Sequence, residues 1–237
     1  LFLTAALSSL PLAYYAYGAH LFNKYAKVDK SYVNLDMSEL IGDERIYTAY
    51  KNDLKDNIDW FKSSHVQKIQ VRSFDELILD GIKVVNHDKA PYMIMLHGYN
   101  SDRYILLKQA KAFDAMGFNL LMVDERAFGK STGEYTTFGF KESLDLLVWI
   151  KALIKEDPEI KIGLYGVSMG ATAIMKALGY QLPSNISFAI EDSGYASLSD
   201  LIKYRFKNDL LIPSINTKMK KTLGFDISEI DVIESLK

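Results

Sequence analysis

The pentapeptide at residues 166–170, G-V-S-M-G, places a serine between two glycines, directly after an apolar run and directly before a segment with helical periodicity. A sharp turn from strand to helix exposes a serine hydroxyl, and residues without a β-carbon avoid clashes with the nearby main chain. The free N–H groups of the following helix face a developing oxyanion. We therefore predict that Ser168 is a nucleophile supported by Gly166 and Gly170, with the Met169 N–H as an oxyanion donor. A structural Gly-Ser turn is the alternative interpretation.

A second group, His97-Gly98-Tyr99-Asn100, follows the apolar run of residues 92–96. Gly98 permits close approach of another segment to this loop. We interpret His97 as a residue that orients the loop, although it is also a candidate general base. A general base must reach the serine proton, and this loop is expected to face the carbonyl oxygen of a substrate instead.

A third group, D-E-R-A-F-G-K-S-T-G at residues 124–133, is a polar, glycine-rich turn after the run of residues 119–123. Its charges suggest a buried ion pair that includes Arg126. We interpret this turn as a support beneath the site, without a direct part in catalysis.

The three groups, together with the predicted helix F-G-F-K-E-S-L-D-L-L-V-W-I, occur in a fixed order within residues 66–237. They resemble the α/β-hydrolase superfamily, in particular its bacterial, often membrane-anchored branch of esterase-like and peptidase-like serine hydrolases. The resemblance implies a Ser-His-Asp mechanism and a small-molecule or peptide substrate with an ester, thioester or amide bond. It also implies that the Tyr99 N–H is the second oxyanion donor beside that of Met169.

Alternating apolar runs and helical patterns predict the elements that position these residues. We expect an α/β-hydrolase fold: a mostly parallel sheet with helices on both faces, a helical cap after the sixth strand, and C-terminal strands that are missing. The expected domains are an N-terminal apolar segment (1–30), a helical extension (31–64) that begins its helix near Asp43, and an incomplete core (65–237) with a cap at about 194–225. Two antiparallel strands, 66–74 and 77–85, begin the core, the second interrupted by Asp80-Gly81. Aromatic and aliphatic residues of the cap are expected to line an acyl pocket or to pack the cap: Tyr195, Leu201, Tyr204, Phe206 and Leu211.

The N-terminal segment, residues 1–22, contains no charged residue and is followed by three lysines. Its length suits a membrane span. We therefore expect a membrane-anchored protein, with the domain on the extracellular face or alternatively in the cytoplasm, and membrane contact through these residues. A buried or amphipathic helix is the competing interpretation.

Composition excludes several classes of function. The formal net charge is −2, so no basic field attracts nucleic acid. The absence of cysteine excludes thiolate nucleophiles and zinc-thiolate sites, and the four histidines lack metal-ligand spacing. We expect no metal and no cofactor.

One feature departs from the superfamily pattern, because no histidine follows Ser168 in the sequence. In the superfamily the acid and the histidine both follow the serine. Three interpretations remain open. Both partners lie beyond Lys237, or the protein is an inactive relative used for binding or scaffolding, or His97 acts as the base with Glu191 or Asp192 as the acid. For Asp192 the alternative role is to cap the turn into Gly194.

Overall fold

A computed structural model describes residues 2–30 and 44–236 of the protein. In that part of the chain, a twisted sheet carries helices on both faces. The strands are β1 (Val66–Arg72), β2 (Ile78–Val84), β3 (Tyr92–Leu96), β4 (Asn119–Val123), β5 (Ile162–Val167) and β6 (Ile186–Asp192). The α-helices are α1 (Phe2–Ala26), α2 (Glu44–Ser63), α3 (Leu107–Ala115), α4 (Phe140–Glu156), α5 (Met169–Leu178), α6 (Leu198–Phe206), α7 (Ile212–Leu223) and α8 (Val232–Ser235).

The strand order is β1-β2-β4-β3-β5-β6. Strands β1 and β2 pair in the antiparallel sense, as predicted, and β2 pairs antiparallel to β4. Strands β4, β3, β5 and β6 are parallel to one another, which agrees with the alternation of strands and helices in the sequence. The carboxyl ends of β3 and β5 therefore lie at the same edge, where the loop after Leu96 meets the turn after Val167.

The predicted interruption of the second strand at Asp80-Gly81 is wrong. Both residues lie inside β2 and pair with β1. A β-carbon on Gly81 would stand 3.0 Å from the ring of Trp149, so this glycine makes room for a core side chain. The chain reverses instead between the two strands, where the Ser73 N–H donates to Leu77 O and Glu76 has φ 71°.

Two apolar layers cover the sheet because side chains alternate between its faces. Ile94 and Leu96 of β3 contact the layer formed with α4 and α5, which includes Trp149. Met93 and Met95 contact the opposite layer, formed with α2 and α3. Both layers fix the central strands from either side.

A third apolar cluster joins α1 to the cap formed by α6 and α7. Leu21, Phe22 and Ala26 of α1 are buried there, together with Ile202 and Met219 of the cap. Close approach is possible because Gly18 meets Ser214 of α7, where a β-carbon would collide with that side chain.

The predicted membrane anchor is wrong. Within residues 2–30 and 44–236, no helix combines the length and the apolar character needed to cross a bilayer. The last turns of α1 cover the cap instead, as the competing interpretation of a buried helix proposed. The expected membrane-anchored localisation is therefore not supported.

The predicted helical extension, residues 31–64, is described only in part. Helix α2 occupies Glu44–Ser63, and its Ile58, Trp60 and Phe61 contact the sheet layer that contains α3. Residue 1 and residues 31–43, including the proposed N-cap Asp43, lie outside the described residues.

Candidate active site

Ser168 stands between β5 and α5 with φ 53° and ψ −113°. An L-residue with positive φ is uncommon outside glycine, and such strain persists only where the surroundings enforce it. Two main-chain bonds do so: the Ser168 N–H donates to Asp192 O at 2.7 Å, and Ser168 O accepts from Thr172 N at 3.0 Å. The side chain is half-buried, and its hydroxyl has no hydrogen-bond partner among the described residues. The main chain of this turn is therefore fixed by hydrogen bonds, whereas the side chain is not.

Both flanking glycines are required by close main-chain contacts. A β-carbon on Gly166 would lie 2.6 Å from the Gly170 carbonyl, and one on Gly170 would lie 2.5 Å from Leu96 O and 2.7 Å from His97 O. A larger residue at position 166 would push the start of α5 away from β5, and a larger residue at position 170 would push the turn away from the end of β3.

The loop after β3 contacts the same turn through Gly98. A β-carbon on Gly98 would lie 3.3 Å from Ser168 Cβ and 3.9 Å from its Oγ. The two segments that the sequence singled out therefore meet at one point. The main-chain N–H of Tyr99 belongs to this loop, while that of Met169 is at the first residue of α5 and has no intrahelical acceptor.

His97 is fully buried below this loop. Its Nδ1–H donates to Gly98 O at 2.7 Å, and its Nε2 accepts from the Glu125 N–H at 3.0 Å. Burial lowers the pKa of His97 below its ordinary value, in keeping with a neutral ring. Because both ring nitrogens bond to the main chain, His97 orients the loop and is not available as a general base for Ser168.

Asp192 ends β6 directly beside the turn. Its carboxylate accepts from Tyr165 Oη at 3.1 Å and from Ser193 Oγ at 2.9 Å, and no described histidine contacts it. Burial, followed by this carboxylate, raises the pKa of Tyr165 to about 12, so the phenol remains a donor. The main-chain oxygen of Asp192 holds Ser168 in place. Its neighbour Glu191 accepts from the Gly194 N–H at 3.0 Å, so neither carboxylate faces a histidine.

Two buried ion pairs hold the loops beneath the site. Arg103 Nε donates to Asp124 Oδ1 at 3.0 Å, and its Nη2 contacts Asp124 Oδ2 and Asp80. These bonds outweigh the effect of burial and keep the pKa of Asp124 below its ordinary value.

In the second pair, Arg126 binds both carboxylate oxygens of Asp145 at 2.7 Å. A further bond joins Arg126 to Asp75 at 2.9 Å. The sequence suggested a buried ion pair around Arg126, but its partners come from outside the 124–133 turn.

Glu125 is the one residue of this turn with an unpaired buried carboxyl group. Neither of its side-chain oxygens has a hydrogen-bond partner among the described residues. Burial, reinforced by the nearby Glu142 and Asp145, raises its pKa well above 4.5. Its surroundings therefore favour the protonated form of this carboxyl group.

An apolar cavity of about 530 Å³ opens at Ser168. Tyr99 and Phe138 line it on the side of the sheet, and Tyr195 follows β6. Four of the five cap residues that the sequence proposed for an acyl pocket line it: Tyr195, Leu201, Tyr204 and Phe206. The fifth, Leu211, packs against the cluster that joins α1 to the cap.

None of the four histidines lines this cavity or hydrogen-bonds to Ser168. His65 and His87 border a separate cleft at the start of β3, at the opposite end of the strand from Ser168. His20 is exposed on α1 and stacks on Tyr17. No group of His, Asp and Glu side chains in the described part of the chain forms a metal site.

Sheet order, flanking helices and cap together define an α/β-hydrolase fold. Residues 87–194, which span the loop after β3 and the Ser168 turn, match the family model described as serine aminopeptidase, S33. The esterase Pf2001 of Pyrococcus furiosus has a similar structure, with a TM-score of 0.57 and 29% identity over 73% of this chain and 66% of that one. These similarities support the α/β-hydrolase superfamily.

Curated relatives agree with this assignment. The uncharacterized protein YqkD of Bacillus subtilis is 30% identical over 138 residues, which cover 57% of this chain and 45% of that protein. The thiohydrolase apmlB of Arthrinium phaeospermum is 29% identical over 119 residues, or 48% of this chain and 38% of that one. The chain thus spans less than half the length of these two relatives. They do not single out a bacterial or membrane-anchored branch.

Proposed function

We propose that the protein hydrolyses an ester, thioester or amide through a covalent acyl-enzyme on Ser168. The observation that carries this proposal is the strained, partly buried Ser168 that lines the cavity, with φ 53° and a hydroxyl that has no hydrogen-bond partner in the described part of the chain. The similarity to an esterase and to a thiohydrolase supports the same class of reaction.

In the proposed reaction, Ser168 Oγ attacks the carbonyl carbon and loses its proton to a general base. The N–H groups of Tyr99 and Met169 donate to the oxyanion of the tetrahedral intermediate. Collapse of the intermediate expels the alcohol, thiol or amine and leaves an acyl group on Oγ, which water then removes. The general base is not one of the four histidines, because His97 is engaged at both nitrogens and the others lie away from the cavity.

Labelling by a fluorophosphonate probe tests this proposal in the full-length protein. We expect one adduct, on Ser168, and we expect Ser168→Ala to abolish labelling and to lower turnover by roughly 10⁶. Ser193→Ala is the matched control, because Ser193 also lines the cavity and should leave labelling unchanged. An adduct on another residue, or no adduct on the folded protein, would reject Ser168 as the nucleophile and favour a binding role for the fold.

A further inference from the structure

The last turns of α1 form one wall of the Ser168 cavity. Leu21, Phe22 and Tyr25 all line it, although they precede Ser168 by more than 140 positions. Leu21 and Phe22 are only 5% and 3% exposed, so this wall is part of the folded core. The cavity is therefore shaped by α1 as well as by the cap.

Main-chain bonds fix the end of α1 in that position. Thr136 N donates to Ala26 O at 2.9 Å, and Val28 N donates to Glu134 O at 2.9 Å. These bonds frame a short antiparallel bridge that precedes α4. Phe22 also stacks on Tyr135, with ring centroids 5.9 Å apart. Tyr135 precedes α4 and lies outside the cap. These contacts therefore attach α1 to the segment before α4 as well as to the cap.

The same helix contacts the loop that approaches Ser168. Tyr99 Oη donates to Tyr25 O at 2.8 Å, and the Tyr99 ring stacks on Phe138. The bond joins the α1 wall to the residue whose main-chain N–H is the proposed oxyanion donor. A group bound to Ser168 would thus extend between α1 and the cap.

The opposite wall is apolar too. Leu198, Ile202, Ile215 and Met219 of the cap line it. Among the described lining residues, Arg205 alone carries a charge, and its side chain is exposed. A volume of about 530 Å³ is much larger than an acetyl group needs and is within the usual range of small-molecule sites. A long apolar acyl group removes this surface from water, whereas a charged one meets only the exposed Arg205 and no buried charge.

We propose that α1 is the element that selects the acyl group, and that the substrates carry an apolar acyl chain of medium length. This inference rests on the proposed function of Ser168. Leu21 is the residue to test, because Phe22 also holds α1 against Tyr135, and its replacement would loosen the wall itself.

The test measures kcat/KM of the full-length protein on a series of p-nitrophenyl esters from acetate to dodecanoate. We expect the wild type to prefer octanoate to acetate by about a hundredfold, which burial of three or four of the six additional methylenes would give. Leu21→Ala should move the optimum to longer chains and Leu21→Phe to shorter chains. Opposite shifts cannot arise from a general loss of stability.

Leu12→Ala is the matched control, because Leu12 is on the same helix, is 74% exposed and does not line the cavity. It should leave the optimum unchanged. Two results would overturn the inference: a wild-type protein that does not prefer octanoate to acetate, or Leu21 variants with the same chain-length profile as Leu12→Ala. In either case, hydrolysis of the acetate ester would still support the proposed function.

Calorimetric titration of Ser168→Ala with octanoate separates the two failures, because it requires no catalysis. We expect binding that Leu21→Phe weakens at least tenfold, whether or not Ser168 is the nucleophile. Absence of octanoate binding by the folded protein would overturn the inference directly.

Discussion

The two sides of the Ser168 cavity are built from different interactions. Beneath the serine, directional polar bonds hold each loop: His97 bonds to the main chain at both nitrogens, and Arg103 and Arg126 bind buried carboxylates. Above it, α1 and the cap meet through apolar contacts such as those of Leu21 and Ile202. Polar bonds fix geometry, whereas apolar contacts tolerate changes of side chain. In the function proposed above, the lower side holds the reacting groups and the upper side selects the substrate.

Loss of a buried ion pair should give the largest effect. Arg103→Met leaves Asp124 and Asp80 buried without their cation, so we expect the free energy of unfolding to fall by about 3–5 kcal/mol. Urea unfolding measures this change. Arg72→Met is the control, since it removes the exposed pair with Glu76 and should cost at most about 1 kcal/mol. Equal losses of unfolding free energy in the two variants would contradict the claim that the buried ion pair of Arg103 stabilises the protein more than the exposed pair of Arg72.

A β-carbon added to the Ser168 turn should have the second largest effect on stability. Gly170→Ala places a methyl group against Leu96 O and His97 O, and we expect a loss of about 1–3 kcal/mol together with much slower fluorophosphonate labelling. Gly117→Ala is a suitable control: Gly117 has φ 90° but no atom within 4 Å of an added β-carbon. It should lose stability through strain and keep its labelling rate. Normal labelling of Gly170→Ala would show that the turn does not need this close contact.

Glu125 should make stability depend on pH. Its folded-state pKa is raised above 4.5, so the folded protein binds a proton that the unfolded chain releases. The free energy of unfolding should therefore fall as pH rises above the ordinary pKa of a glutamate, because the unfolded chain releases this proton first.

Urea unfolding of wild type and Glu125→Gln at pH 5 and pH 8 isolates this contribution. We expect the free energy of unfolding of Glu125→Gln, relative to that of the wild type, to be higher at pH 8 than at pH 5. An identical pH dependence would mean that Glu125 is ionised in the folded protein.

The bond between Tyr99 and α1 should give the smallest effect. Tyr99→Phe removes the hydrogen bond to Tyr25 O, and we expect a loss of about 1 kcal/mol in the free energy of unfolding. Thermal unfolding measures it. Tyr104→Phe, at another partly exposed tyrosine whose hydroxyl has no described partner, should be neutral. If Tyr99→Phe lowers the free energy of unfolding no more than Tyr104→Phe does, the hydrogen bond between Tyr99 and α1 does not stabilise the protein.

The sequence was informative where neighbouring residues decide the structure. Apolar runs predict β3, β4 and β5 closely, and the G-V-S-M-G pattern predicts the strand-to-helix turn at Ser168. In each case the spacing of residues along the chain is itself the physical cause.

Contacts between distant segments were not predictable in this way. Tyr99 and Tyr25 are 74 positions apart, and Arg126 and Asp75 are 51 apart. Nothing local to Leu21 distinguishes a membrane anchor from a buried helix, because both need apolar residues. Only the tertiary arrangement shows that this side chain faces a cavity.

A crystal structure of the full-length protein with a bound fluorophosphonate tests the central claim most directly. The account predicts a covalent bond to Ser168 Oγ, with the phosphoryl oxygen about 2.7–3.1 Å from the main-chain nitrogens of both Tyr99 and Met169. A phosphoryl oxygen that faces solvent, or an adduct at another side chain, would contradict it.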